Sequence, residues 1–378
     1  FRRLLFLSRV KLKAAAGSRN WRVIASSRRC MRMHERVAGE TPRASGLRQP
    51  MLTAADYQPP KWLHNPHLQS ALSSSGLRRR RGLRALNATG AVTAEHIFDG
   101  GDGVRLQGLH SAIPGGGAQG LALLLHGWEG SVDSSYMRMT AARLLEAGFD
   151  VVRLNFRDHG ETHHLNEGLF HSNLLDEVVH AAGDVSRRFP AQRMVVAGYS
   201  LGGNFALRLA LRAPAAGLEL ARAIAVCPVL DPAATMTEME RGQPLYHWYF
   251  QRKWRSSLER KRELFPTLHD YDKAVLSKGL RELTDWLVER HTDFGSLDDY
   301  FNGYSIAGER LAGLQVPADI LMAEDDPVIP VGTFRDWQLP ARTHLEISPW
   351  GGHCGFIENA ACDGFAERWV TARMLAAS

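Results

Sequence analysis

The feature that most restricts the fold of this chain is an alternation of short apolar runs with amphipathic runs of helical periodicity. Four apolar runs follow one another: LALLLHG (121–127), FDVVRLNF (149–156), MVVAGYS (194–200) and ARAIAVCPVL (221–230). Short runs that are apolar on both faces are typical of strands covered by helices on both sides. The rhythm therefore predicts an α/β fold with a mostly parallel, doubly wound sheet, whose strand ends share one edge.

The rhythm is interrupted at 231–306, where aromatic and charged residues indicate several helices. Strand patterns then return at 317–325 and 343–350, so the interruption reads as an insertion between two strands of one sheet. We expect it to lie over the strand ends as a helical cap. The alternative is a helical elaboration without a gating role.

A serine stands at the end of one predicted strand, in AGYSLGGN (197–204). Ser200 lies between Gly198 and Gly202, a GxSxG spacing that glycine-rich chains also produce by chance. Here a strand precedes it and a helix follows it. In that context small residues are needed on both sides of a very tight turn, and the serine becomes a candidate nucleophile in a nucleophile elbow.

An alcohol needs a general base, and the base needs an acid to orient it. On a doubly wound sheet the acid follows a later strand, in AEDDPVIP (323–330). Only one of the adjacent Asp325 and Asp326 can face the base. We expect Asp326 to be the triad acid, because an acid three residues before Ile329 is the common arrangement at this strand end. Asp325 is assigned to loop capping or solvation.

The candidate base is His353 in PWGGHCGF, after the last predicted strand. Although the chain has 16 histidines, this one follows the serine and the acid in the required order and lies in a glycine-rich loop. An oxyanion hole needs two backbone N–H groups, one after the nucleophile and one after an earlier strand. These are expected from Leu201 and Trp128, with His126 in a structural role.

Five motifs, HGWEGS, NFRDHG, GYSLGGN, AEDDPVIP and GGHCGF, occur in this order. Together they resemble the α/β-hydrolase superfamily, and WLHNPHLQS (62–70) resembles its YheT-like branch, related to ABHD1/2/3-type and EMB8-like esterases. The resemblance runs from about residue 57 to the end. It implies the α/β-hydrolase fold, an esterase- or lipase-like activity, and triad roles for Ser200, Asp326 and His353.

These patterns predict five segments. They are a basic, disordered extension (1–50), a lead-in packed on the core (51–92), two parts of the hydrolase core (93–230 and 307–378) and the helical cap (231–306). A further basic cluster, RRRR at 78–81, is expected to form a solvated surface turn.

The formal charge of +6 is unevenly distributed. Residues 1–50 hold 13 Lys/Arg against two acids, a net charge of +11, so the remainder carries −5. An acidic body disfavours nucleic-acid binding. The first fifty residues fit an organelle transit peptide, a basic arm for nucleic acid or anionic membrane, or a non-native extension before a start at Met51, the interpretation we favour. We expect a cytoplasmic protein, or an organellar one if the transit peptide is genuine.

Other features predict few additional partners. No apolar run approaches the roughly 20 residues of a membrane span. The four cysteines show no metal or disulfide spacing, which favours a reducing compartment. DHGETHH (158–164) does not match a known spacing of zinc ligands and is expected to line the site or to have a structural role. WYFQRKW (248–254) is expected to form an amphipathic part of the cap and not a nucleic-acid-binding surface.

The sequence therefore predicts a serine hydrolase that cleaves small-molecule carboxylic esters through an acyl-enzyme, without metal or organic cofactor. An aromatic cap favours a medium or longer acyl chain. Three alternatives stay open. The same site could transfer the acyl group to an alcohol, a degraded site could serve as a binding module, or the basic arm could carry an interaction function.

Overall fold

The structure is a computed structural model of the 378-residue chain, and it describes residues 51–116 and 118–376. The predictions for residues 1–50 lie outside this part of the chain. The described residues form the unit that extends from Pro50 toward the carboxyl terminus.

An eight-stranded sheet forms the centre of this unit. Its strands are β1 (Val92–Asp99), β2 (Arg105–Ala112), β3 (Gly120–Leu125), β4 (Phe149–Leu154), β5 (Met194–Tyr199), β6 (Arg222–Val226), β7 (Ala318–Ala323) and β8 (Thr343–Ser348). They lie in the order β1-β2-β4-β3-β5-β6-β7-β8. β1 and β2 form an antiparallel hairpin, β2 pairs antiparallel with β4, and the pairs from β4 to β8 are parallel. The carboxyl ends of β3 to β8 therefore share one edge.

Helices cover the sheet. They are α1 (Pro66–Ser73), α2 (Gly76–Ala88), α3 (Ser135–Glu146), α4 (Leu175–Arg188), α5 (Leu201–Arg212), α11 (Gly332–Arg335) and α12 (Phe365–Leu375). α3 packs with α2 and α12, whereas α4 packs with α5. Every residue of β3, β5 and β7 is buried, which is the reason for their continuous apolar runs. This is the predicted doubly wound architecture.

Five further helices connect β6 to β7, where the sequence predicted a helical insertion. They are α6 (Pro232–Arg241), α7 (Pro244–Leu264), α8 (Lys273–Ser277), α9 (Leu280–His291) and α10 (Leu297–Tyr304). α7 is 21 residues long and carries the aromatic and basic motif WYFQRKW. No helix among the described residues is both long and apolar enough to cross a membrane.

The arginine cluster 78–81 lies in helix α2, so the prediction of a turn there is wrong; the prediction of solvation is also wrong for Arg78, whereas Arg79 and Arg80 are exposed. Ser75 caps α2 by accepting the N–H of Arg78 at 3.2 Å, and the cluster continues as helix. Arg78 is fully buried and forms an ion pair with Glu367 of α12, which is itself buried. The sequence does not indicate the burial of Arg78, because its partner lies 289 residues away and an unpaired buried guanidinium would be very costly.

The three cysteines in the described part, Cys227, Cys354 and Cys362, are free and buried. The first two lie near the carboxyl edge of the sheet, Cys227 just after β6 and Cys354 next to His353.

Candidate active site

Ser200 occupies the sharp turn between β5 and α5 with φ 54° and ψ −121°. A positive φ is strained in a residue with a side chain. A Cβ on Gly198 would lie 1.9 Å from the carbonyl oxygen of Gly202, and one on Gly202 would lie 2.4 Å from the carbonyl oxygens of Leu125 and His126. The turn therefore has room only for glycine at both positions.

Backbone hydrogen bonds hold this turn in place. The N–H of Ser200 donates to the carbonyl of Val226 at 2.8 Å, and the carbonyl of Ser200 accepts the N–H of Gly203 at 2.9 Å. Both contacts use main-chain atoms of neighbouring core elements. The side chain of Ser200 is thus free to project from the carboxyl edge of the sheet.

The three sequence-predicted triad residues lie in one hydrogen-bonded chain. Nε2 of His353 lies 2.9 Å from Oγ of Ser200. Nδ1 of His353 lies 2.9 Å and 3.2 Å from the two carboxyl oxygens of Asp326. Because a carboxylate only accepts hydrogen bonds, Nδ1 carries a proton, and in the neutral ring Nε2 is left to accept the hydroxyl proton of Ser200.

The adjacent aspartates at the end of β7 have different contacts. The side chain of Asp326 is fully buried, and its Oδ1 also accepts the N–H groups of Val328 and Ile329 at 2.8 Å and 3.0 Å. Oδ1 of Asp325 instead accepts the N–H of Gly352 at 2.8 Å. Burial raises the pKa of Asp325 to about 6. One carboxylate thus contacts the imidazole and the other holds the loop that carries it.

The electrostatics of His353 are dominated by opposing effects. Burial by itself disfavours the charged ring, but the negative charge of Asp326 and the neighbouring Cys354 outweigh it and raise the pKa of His353 to about 9. The ring is therefore a stronger base than ordinary histidine, and its neutral form becomes abundant only in alkaline solution.

Helix α1 supports the loop of His353, a contact that sequence reasoning missed. Oγ of Ser70 accepts the N–H of His353 at 2.9 Å, and Oε1 of Gln69 accepts the N–H of Ile357 at 2.7 Å. A Cβ on Gly352 would lie 2.4 Å from the carbonyl oxygen of Pro66. The signal was present in the motif WLHNPHLQS, which supplies all three α1 residues.

Two backbone donors lie beside the serine. Among the described residues, neither the N–H of Trp128 nor that of Leu201 donates to a protein acceptor. Leu201 begins α5, where first-turn N–H groups have no partner within the helix. The loop of Trp128 approaches closely, since a Cβ on Gly127 would lie 3.2 Å from Cβ of Ser200. Paired free donors of this kind can stabilise a developing oxyanion.

His126, at the start of the same loop, is fully buried. Its Nε2 accepts the N–H of Phe156 at 3.2 Å, and its Nδ1 donates to the carbonyl of Gly127 at 2.7 Å. Burial holds its pKa well below the ordinary value. With both nitrogens used by the backbone, His126 has the structural role expected of it.

Two cavities meet at Ser200. The polar cleft, of about 750 Å³, is lined largely by polar and charged residues, among them Arg79, Glu129, His159, Lys253 and Arg260. The apolar pocket, of about 100 Å³, is lined largely by aliphatic and aromatic residues, among them Val229, Met236, Trp254, Leu287 and Ile329. Ser200, Trp128 and Phe250 line both.

The loop DHGETHH contacts α7. Nζ of Lys261, which is 1% exposed, lies 2.7 Å from Oδ1 of Asp158, and Nε2 of His163 lies 2.8 Å from Oγ of Ser257. Burial lowers the pKa of His159 and of His163 to about 4. Over the described ranges, no three or more His, Cys, Asp or Glu side chains are grouped to hold a metal ion.

Comparison with known proteins agrees with this fold. A profile of the alpha/beta hydrolase fold family matches residues 123–360. The chain is 25% identical over 374 residues to "Putative esterase slr0264" of Synechocystis sp., covering 87% of this chain and 98% of that one. It is 27% identical over 261 residues to "Putative esterase YheT" of Escherichia coli, covering 67% and 74% respectively.

Among solved structures, the Pyrococcus furiosus esterase Pf2001 superposes with a TM-score of 0.52 at 15% identity, covering 77% of this chain and 91% of that one. At this identity the likeness concerns the fold. The relatives agree with the YheT-like branch predicted from the sequence, and the profile covers more than half of the residues. The chain therefore belongs to the α/β-hydrolase fold family.

Proposed function

We propose that this esterase-like α/β hydrolase is a serine hydrolase of carboxylic esters. The observation that carries the proposal is the hydrogen-bonded chain from Ser200 through His353 to Asp326, with 2.9 Å at each link. A strained elbow presents the serine, and beside it lie two backbone N–H groups that donate to no acceptor within 51–116 and 118–376. This combination matches the requirements of nucleophilic acyl transfer.

In the proposed reaction, Oγ of Ser200 attacks the ester carbonyl while Nε2 of His353 takes the hydroxyl proton. The tetrahedral oxyanion accepts hydrogen bonds from the N–H groups of Trp128 and Leu201. His353 then donates its proton to the leaving alcohol, and Asp326 stabilises the imidazolium throughout. Water, activated by the same histidine, cleaves the acyl-enzyme and regenerates the serine. Neither a metal nor an organic cofactor takes part in these steps.

The two cavities are suited to different parts of an ester substrate. We assign the acyl chain to the apolar pocket and the alcohol part to the polar cleft, because Ser200 lies where they meet. The apolar pocket, at about 100 Å³, is smaller than the roughly 300–1,000 Å³ typical of drug-sized ligand sites. It therefore favours short and medium acyl chains over the longer ones that the aromatic cap suggested.

The helices α6 to α10 supply much of the lining of the apolar pocket, including Met236, Trp254 and Leu287. We propose that 231–306 is the cap of this site, with 93–230 and 307–378 as the core and 51–92 as its lead-in. The cytoplasmic location stays a prediction.

The proposal is tested by hydrolysis of p-nitrophenyl esters of increasing acyl length. We expect kcat/KM to be highest for short and medium chains, and Ser200→Ala to lower turnover roughly 10⁴-fold or more. Ser277→Ala, at an exposed serine of α8 that lines neither cavity, is the matched control and should retain activity. Undiminished turnover by Ser200→Ala would contradict the proposal. Formation of a new ester from an added alcohol would favour acyl transfer instead.

A further inference from the structure

The loop after β3, residues 126–130, carries the Trp128 N–H that the proposed function assigns to the oxyanion; we call it the oxyanion loop. Its backbone is strained, since Glu129 has φ 54°, a region that favours glycine. A strained loop keeps its shape only if surrounding contacts hold it. The contacts that hold this loop come from two different parts of the molecule.

The core holds the first end of the oxyanion loop. The N–H of Gly127 donates to the hydroxyl of Tyr136 on α3 at 3.0 Å. The carbonyl of Gly127 accepts the N–H of Gly130 at 2.9 Å, which closes a turn around Trp128 and Glu129. Nothing in these two bonds fixes the orientation of the Glu129 peptide within that turn.

Helix α7 holds the second end. Nζ of Lys253 donates to the carbonyl of Glu129 at 2.7 Å. The indole ring of Trp128 stacks on Phe250, with ring centroids 5.4 Å apart and planes at 11°, and meets the edge of Trp254 at 5.6 Å. One turn of a single cap helix therefore fixes both the side chain of Trp128 and the carbonyl that follows it.

We propose that Lys253 is a positioning residue that fixes the Trp128 N–H for the oxyanion, so that contact between α7 and the oxyanion loop completes the hole. This inference rests on the proposed ester hydrolysis. Lys253 lines the polar cleft, but its ammonium is bonded to the carbonyl of Glu129 in the oxyanion loop. Its removal should therefore weaken the transition state more than it weakens binding of a small ester.

The test compares Lys253→Met, which keeps an unbranched apolar side chain but removes the ammonium, with Arg252→Met. Arg252 is the preceding residue of α7, is exposed, and lies over the ring of Trp248. Loss of a whole oxyanion donor lowers kcat about 10²- to 10³-fold, and loosening one donor should cost less. We expect Lys253→Met to lower kcat for p-nitrophenyl butyrate about tenfold, with KM little changed and Arg252→Met at the wild-type level.

A second readout separates oxyanion geometry from general damage to the fold. In a thiono ester, sulfur replaces the carbonyl oxygen and fits an oxyanion hole poorly. The preference of the enzyme for the oxygen ester over its thiono analogue should fall in Lys253→Met and in Phe250→Leu, which removes the stacked ring.

Unchanged kcat and unchanged thiono discrimination in Lys253→Met, or a loss confined to KM, would overturn the inference while the wild-type enzyme still turns over the ester. Absence of ester turnover by the wild-type enzyme would overturn the proposed function and this inference with it.

Discussion

The elbow at Ser200 and the oxyanion loop at Trp128 flank the same reacting position but are held by different means. The elbow is fixed by main-chain atoms: Gly198 and Gly202 exclude any side chain, and the N–H of Ser200 is bonded to the strand beside it. The oxyanion loop is fixed largely by side chains of α7, including a lysine 124 residues away along the chain. The elbow is rigid because close backbone contacts leave no room for side chains. The oxyanion loop is anchored by side chains of a cap helix, so a ligand or a substitution can alter its position.

The largest expected effect concerns the core side of the site. Asp326→Asn should lower kcat about 10⁴-fold, because the amide can no longer stabilise the imidazolium or hold its productive tautomer. Asp325→Asn is the matched control. It loosens only the bond to the Gly352 N–H and should cost about tenfold at most. Steady-state kinetics on one ester separates the two, and a larger loss in Asp325→Asn would reverse our assignment.

The next effect concerns the attachment of the cap. Lys261→Met leaves the carboxylate of Asp158 buried without its counter-ion, which should lower the free energy of unfolding by about 3–5 kcal/mol. The neighbouring Arg260 pairs with Glu161 in a largely exposed position, so Arg260→Met should change the free energy of unfolding by about 1 kcal/mol or less. Chemical denaturation of both variants measures the difference. Equal stabilities would mean that the buried pair does not anchor α7.

A third prediction probes exclusion by backbone at the elbow. Gly198→Ala places a Cβ against the Gly202 carbonyl and should destabilise the fold by about 3 kcal/mol, with loss of activity. Gly76→Ala is its control, because a Cβ there meets nothing within 4 Å. Thermal melting and ester turnover report the two effects. A Gly198→Ala enzyme with normal stability and turnover would show that the elbow is less constrained than its geometry indicates.

The pH dependence follows from His353. Its folded-state pKa is raised to about 9, so the charged ring prevails below that value and the neutral base appears above it. The kcat/KM of the free enzyme should therefore rise from pH 7 to pH 9 by about fiftyfold. Asp326→Asn removes the charge that raises the pKa of His353. The activity of this variant is weaker, and its increase with pH should occur at lower pH than in the wild-type enzyme. A profile flat over this range would contradict the electrostatic account.

Much of the fold and the proposed triad could be read from consecutive residues. Strands buried on both faces leave continuous apolar runs, and an elbow that admits no side chains leaves GxSxG between a strand and a helix. Chain order then selected His353 from 16 histidines. The predicted strands extend one to four residues too far at their carboxyl ends, as for 121–127 against Gly120–Leu125, because the chain leaves the sheet there to shape the site.

What the sequence could not predict depends on partners distant along the chain. Arg78 resembles the exposed arginines beside it in sequence, and its burial becomes evident only when α12 supplies Glu367. The role of Ser70 cannot be predicted from its neighbours in sequence, because its hydroxyl contacts the N–H of His353, which lies 283 residues further along the chain. Lys253 lies in a motif typical of amphipathic helices in general, so the sequence does not indicate its contact with the carbonyl of Glu129. Side-chain contacts between separate elements leave no periodic signal, so only the assembled fold reveals them.

Covalent labelling with a fluorophosphonate, followed by mass mapping of the modified peptide, identifies the nucleophile. We expect one adduct per chain, on Ser200, and no labelling of Ser200→Ala under the same conditions. An adduct on another residue of the wild-type enzyme, or labelling that survives in Ser200→Ala, would contradict the assignment of Ser200 as the nucleophile.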